Sequence, residues 1–144
     1  MPITTATWYR RHPHQILIAM FLTVVGLPIL IDGPREDTVL AELPLLIVYS
    51  WASVFVLGGI LIITAAFIKD ALHALYLELI ADLPVALTAI SYAIINLAIS
   101  GGARGISGIF LYGGAGIAFL VRSRQCLKLM HEVRLVLRNV GERP

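Results

Sequence analysis

The sequence predicts an all-α fold: a single-domain integral membrane four-helix bundle that ends in an amphipathic cytoplasmic helix. Three observations predict it. Of the 144 residues, 58% are hydrophobic and 14% charged, where a soluble domain carries about 25% charge. Mean hydropathy is +0.87. Four apolar runs, at 15–31, 43–67, 84–100 and 106–121, approach or exceed the roughly 17 to 25 helical residues that cross about 30 Å of hydrocarbon.

The first run begins after Arg10 and Arg11 and carries Pro28 near its far end, where a proline kinks or ends a helix. No small-x-small cleavage pattern follows it, and Arg10-Arg11 lacks the flanks of a twin-arginine signal, so it reads as an uncleaved span. The second run, 43–67, holds 25 residues without a charge and tilts if it spans, being longer than a perpendicular crossing needs. The third and fourth runs are joined by Gly101, Gly102, Ala103, Arg104 and Gly105, a connection short enough for a helical hairpin. Ala41-Glu42-Leu43-Pro44 and Ala81-Asp82-Leu83-Pro84 both read as helix starts. Each sets an acid at the positive end of a helix dipole beside a proline whose missing N–H costs nothing there.

Orientation follows from the cations, because short loops rich in Lys and Arg stay cytoplasmic. With four spans, Arg10, Arg11, Lys69, Arg122, Arg124, Lys128, Arg134, Arg138 and Arg143 share one side, against Arg35 and Arg104 on the other. Both termini are therefore expected in the cytoplasm, with the acidic 32–42 loop outside. Trp8 and Tyr9 stand where interfacial aromatics belong.

Three constellations carry the functional expectations. Advancing 100° per residue from Asp70 puts His73, Glu78, Asp82, Thr88, Ser91, Tyr92 and Asn96 within one half of a helix, with Leu72, Leu75, Tyr76, Leu79, Ile80 and Leu83 opposite. Acids and amides near hydrocarbon are costly unless they face water or partners, so this stripe is a candidate pore or bundle interior. Thr88, Ser91, Tyr92 and Asn96 have a plainer use in interhelical hydrogen bonds of about 0.6 kcal/mol each. Glu78 and Asp82, with only Lys69 as a nearby cation in sequence, fit a solvated interfacial helix equally well. If Pro84 only kinks the chain, one helix runs about 40 Å from Asp70 to Asn96. If Pro84 starts a helix, segment 70–83 lies on the cytoplasmic surface with its leucines in lipid.

The fourth run is rich in small residues. Gly105, Gly108, Gly113, Gly114 and Ala118 permit the close backbone approach by which helices associate in lipid, either against Gly58 and Gly59 of the second run or between copies of the chain. Beyond it, segment 122–140 is amphipathic: Cys126, Leu129, Met130, Val133, Val136, Leu137 and Val140 recur at helical spacing, with Arg124, Lys128, His131, Arg134 and Arg138 set apart from them. A basic helix of this kind draws anionic headgroups at about 1 kcal/mol per cation. Arg10, Arg11, Arg122, Arg124, Lys128, Arg134 and Arg138 are accordingly the expected headgroup contacts. Packing between subunits is the other use of the same stripe.

The exclusions are equally informative. One cysteine, Cys126, allows no intrachain disulfide, and His12, His14, His73 and His131 have no metal-helix spacing. No triad, metal constellation or carboxylate pair other than Glu78 and Asp82 suggests an enzyme, and no cofactor motif is present. The cations are too few, and too free of interleaved aromatics, for a nucleic-acid footprint.

The start Trp8-Tyr9-Arg10-Arg11-His12-Pro13, the four short spans and the Arg-rich amphipathic tail resemble the small polytopic membrane proteins of actinobacterial phages, some of them labelled holin-like. The resemblance is architectural and covers the whole chain. It implies insertion in the host cytoplasmic membrane and an oligomer that depolarises or perforates it. The partners expected are the bilayer and either further copies of the chain or another membrane protein for which this chain is an accessory subunit. Small-solute transport is the third expectation and needs the stripe to face a cavity. The first run lacks the acid that small four-span multidrug exporters carry there, and the amide and aromatic pattern of small fluoride channels is also missing.

Overall fold

The computed structural model describes residues 13–36, 38–100 and 106–141. They form four long helices: α1 (Pro13–Asp32), α2 (Leu45–Ala65), α3 (Ala71–Ser100) and α4 (Ile106–Gly141), with a 3-10 turn at Val39–Glu42. Each contains a stretch long and apolar enough to cross a membrane. The chain is thus an all-helical bundle whose composition points to a membrane location.

Helices adjacent in sequence pack against one another and run antiparallel, as short connections require. Gly59 of α2 lies against Ala19 and Thr23 of α1, whereas Gly26 of α1 lies against Ala52 and Val56 of α2. The core joins all four helices through Ala19, Leu22, Phe55, Ile62, Val85, Ala89 and Phe119. The side chains outside it are apolar too: Leu17, Leu46, Phe67, Ile94, Phe110 and Ile117 are all exposed. An apolar exterior around an apolar core is what a lipid solvent permits and water does not.

Glycines set the approach distances. A Cβ added at Gly59 would stand 2.0 Å from Thr23 Oγ1 and 2.7 Å from the Ala19 carbonyl. At Gly58 it would meet Val85 Cγ2 at 2.2 Å, and at Gly116 it would meet Ile90 Cγ1 at 2.6 Å. Of the two uses left open for the small residues of the fourth run, a contact with Gly58 and Gly59 is not the one seen at these glycines. These two glycines admit α3 and α1, while α4 docks on α3 through Gly116. Two adjacent positions point 100° apart on a helix, so they cannot serve one partner equally.

Both internal prolines are tolerated. α1 continues through Pro28 to Asp32, and Gly33 (φ 83°) then ends the helix, its N–H bonded to the Ile29 carbonyl at 3.1 Å. α3 runs through Pro84 without interruption, so Ala81-Asp82-Leu83-Pro84 is not a helix start. The capping signal of α3 lies instead at Asp70, whose Oδ1 accepts the backbone N–H groups of Leu72 (2.9 Å) and His73 (3.1 Å). Residues 71–83 are thus the first half of a membrane-length helix and not a separate surface segment. The physical reason is a protein partner for their leucines: Leu75 is buried against Cys126 and Met130 of α4, with Leu72, Leu79 and Leu129 around them.

That pairing also fixes the tail. Residues 122–141 continue α4 without a break, and Cys126, Leu129 and Met130 pack on Leu72, Leu75 and Leu79 of α3; the side chains of Val136, Leu137 and Val140 lie outside the described residues. At about 1.5 Å per residue, the 30 residues of α3 and the 36 of α4 reach about 45 and 54 Å.

Candidate functional site

Charged and polar groups from three helices meet inside the end of the bundle that holds the start of α1 and the second half of α4. Glu78 and Asp82 are one turn apart on α3 and, like Cys126 of α4, are 0% exposed. Gln15, in the first turns of α1, spans both acids. Its Nε2 donates to Glu78 Oε1 at 2.7 Å and lies 3.3 and 3.4 Å from the two Asp82 oxygens. Arg122 of α4 takes Glu78 from the other side, Nε donating to Oε1 and Nη2 to Oε2 at 3.1 Å. Such a two-pronged guanidinium–carboxylate contact holds both geometry and charge.

The helical period explains the convergence. Gln15 is in phase with Ala19, Leu22 and Gly26, the buried face of α1, and Arg122 is in phase with Cys126, Met130 and Val133. Glu78 and Asp82 share the face of Leu75, Val85 and Ala89. Each polar group thus occupies a core position at the rim of an apolar stripe. Among the described residues the cluster sets two carboxyl groups against one guanidinium.

Donor atoms of Glu78, Asp82 and Cys126 lie within 4.8 Å of one another, a spacing that suits a metal ion in isolation. Arg122 already occupies both Glu78 oxygens, Gln15 bonds to both acids, and a guanidinium repels an added cation. The donor set as folded therefore serves the internal network.

Of the expected stripe, Thr88 and Asn96 are buried and Tyr92 half-buried on the cluster's face of α3. His73 and Ser91 are exposed and leave the stripe. Each stands nine residues from Asp82, half a turn around the helix. Ser91 Oγ donates to its own helix at the Leu87 carbonyl (2.7 Å), and His73 pairs with Asp70 (3.1 Å). That cap, chiefly the His73 backbone N–H, holds the Asp70 carboxyl below the usual aspartate value. Neither acid of the cluster is the solvated surface charge that the sequence equally allowed.

Arg122 requires a second correction. Expected at lipid headgroups, it is 6% exposed and ion-paired inside the bundle. Arg124 and Lys128 are exposed, as a headgroup contact must be. Arg134 is exposed with its guanidinium over the Tyr76 ring (5.6 Å to the centroid) and bonded to the Tyr76 hydroxyl. Arg10, Arg11 and Gly105, together with Trp8 and Tyr9, lie outside the described residues, as does the Arg138 side chain. Within α4, a Cβ added at Gly113 would stand 3.6 Å from Ala93 Cβ and one at Gly108 would stand 3.4 Å from Asn96 Nδ2, while Gly114 has open space and Ala118 is exposed.

Sequence reasoning missed Gln15 and Arg122. Gln15 served only as the boundary of a run, and Arg122 was grouped with the tail cations although it is in phase with Cys126 and Met130. That phase was the available signal.

Compared with protein-family models, curated proteins and solved structures, the chain finds no match. Its class therefore rests on fold and site: a helical bundle of four candidate membrane spans with a charge network sealed inside it.

Proposed function

We propose that this protein is an integral membrane bundle that passes a small solute or cation across a bacterial cytoplasmic membrane, with Gln15, Glu78, Asp82 and Arg122 as its working centre. The observation that carries this reading is a buried pair of acids, Glu78 and Asp82, that meets one guanidinium among the described residues. An ionised group in a membrane-length helix is expensive and marks an ion or substrate path far more often than a scaffold. Two carboxylates one turn apart, bridged by Gln15, can take up a proton without giving up the Arg122 contact, which gives the bundle two states of different charge. Both termini lie on the cytoplasmic side in this reading, because Lys69, Arg122, Arg124, Lys128 and Arg134 gather at the cluster end and Arg35 at the other. Binding and passage make no covalent bond, so the protein acts without enzymatic chemistry.

The experiment is flux into proteoliposomes that contain the full chain, with a trapped pH dye and an imposed potential. Proton or counter-ion flux that falls at least tenfold in Glu78→Gln or Asp82→Asn supports the reading, and equal flux in wild type, variants and empty vesicles overturns it.

A second reading keeps the resemblance to phage holin-like proteins: a homo-oligomer that disrupts the host membrane. The open space at Gly114 beside exposed Ala118 favours it, because small residues on an outward face of α4 leave room for a second copy. Timed expression with a membrane-potential dye and culture turbidity separates the two. Abrupt depolarisation followed by lysis with an endolysin supports the oligomer, and normal growth at high membrane levels removes it.

A further inference from the structure

At the end of the bundle away from the charged cluster, a cavity of about 430 Å³ is lined by residues of all four helices and by Gly33, Arg35, Thr38 and Leu40. That volume is in the range of small-molecule sites. Four aromatic side chains line it and brace one another. Trp51 meets Tyr92 edge-on (centroids 5.7 Å), Tyr92 meets Tyr112 edge-on (4.5 Å), and Tyr112 stacks on Phe55 (5.9 Å). Interlocked rings make a preformed apolar surface that a ligand need not order.

Two opposite charges share the lining. Asp32 is the last residue of α1, Arg35 lies three residues on, and both are exposed. Neither forms an ion pair with another described residue. Their backbone is held: the Gly33 N–H bonds to Ile29, and the Arg35 carbonyl accepts both the N–H (3.1 Å) and the hydroxyl (2.7 Å) of Thr38. A carboxylate and a guanidinium kept apart at the rim of an aromatic cavity complement a molecule with a cation, an anion and an apolar body.

We infer that this cavity binds a zwitterionic amphiphile, its ammonium at Asp32, its carboxylate or phosphate at Arg35 and its apolar portion against Trp51, Phe55, Tyr92 and Tyr112. The same chemistry belongs to a free apolar amino acid and to a phosphoethanolamine headgroup with its chain. As cargo this ligand rests on the transport reading above; as a bound molecule it does not.

The test uses the full chain in detergent with Trp8→Phe, which leaves Trp51 as the one tryptophan of the two in the sequence. Emission is titrated with L-phenylalanine, with a short single-chain phosphatidylethanolamine, and with phenethylamine and 3-phenylpropionate, which each lack one charge. A saturable response to either zwitterion, about tenfold weaker with the singly charged compounds and in Asp32→Asn and Arg35→Gln, is expected, since a charge-assisted hydrogen bond is worth about that factor. A response to phenylalanine alone assigns a free solute, and a response to the lipid alone assigns a headgroup; both support the inference. No saturable response up to about 10 mM, where binding is negligibly weak, overturns it. So does equal binding of the singly charged compounds, or indifference to both charge variants. Binding without flux leaves this site standing and removes the transport reading, while flux without binding does the reverse.

Discussion

Replacing Arg122 by Met removes the guanidinium that holds both oxygens of Glu78. The partners are buried to 6% and 0% exposure, so solvent cannot take the place of what is lost. Breaking a buried pair from one side costs about 3–5 kcal/mol, because the remaining charge is stranded. Set against a total stability of about 5–15 kcal/mol, that loss leaves much of the population unfolded under mild stress. The double variant Arg122→Met with Glu78→Gln removes one charge of each sign, so the formal charge of the network is unchanged and Gln15 can still bond to Asp82. It recovers more than half of the loss, since removing both partners of a buried pair is close to neutral. Equilibrium unfolding in SDS, followed by circular dichroism, measures both variants and Glu78→Gln alone, with Arg124→Met as the exposed control within about 0.5 kcal/mol of wild type. If Arg122→Met also fell within about 0.5 kcal/mol, or the double variant equalled the sum of its parts, the pair would be hydrated and the sealed network wrong.

Three further expectations use the same preparation. Gly59→Ala, whose new methyl would meet Thr23 Oγ1 at 2.0 Å and the Ala19 carbonyl at 2.7 Å, costs about 1–3 kcal/mol. Gly114→Ala meets nothing within 4 Å and is neutral or up to about 1 kcal/mol stabilising; equal effects at the two sites would refute the packing. The Cys126 thiol, fully buried, resists a maleimide in the folded bundle and reacts within minutes in SDS, and fast native labelling would show the cluster to be open to water. The Asp70 cap gives α3 a pH dependence. Its carboxyl is held below its free value, so the contribution is complete above about pH 4 and is lost as pH falls through the lowered native value. Amide protection in the first turn of α3, taken relative to the intrinsic exchange rate at each pH, should fall in acid, and in Asp70→Ala it should be low at every pH.

The sequence made the four helices legible because uncharged runs of membrane length have few alternatives, and the described helices fall on all four. Boundaries were less legible. Pro84 ends helices in water, yet here Pro84 faces outward and its neighbours on both sides pack on α4, so tertiary contact overrides the local signal. Glu78 and Asp82 were visible as a pair because one turn separates them. Their partners were not, since Gln15 lies 63 residues before Glu78 and Arg122 lies 44 after it. Periodicity gives the face of each helix but not which faces meet. Arg122 was further masked by standing two residues from Arg124, which does point outward.

Among the described residues, Leu22, Val85, Ala89 and Phe119, with buried Thr88 beside them, form the layer between the charged cluster and the aromatic cavity. From Asp82 to Tyr92 it is about 15 Å deep along α3, half the thickness of a hydrocarbon core of about 30 Å. In the transport reading proposed above, a charge that passes between the cluster and the cavity crosses this layer, and each 100 mV falling across it does about 2.3 kcal/mol of work on one elementary charge.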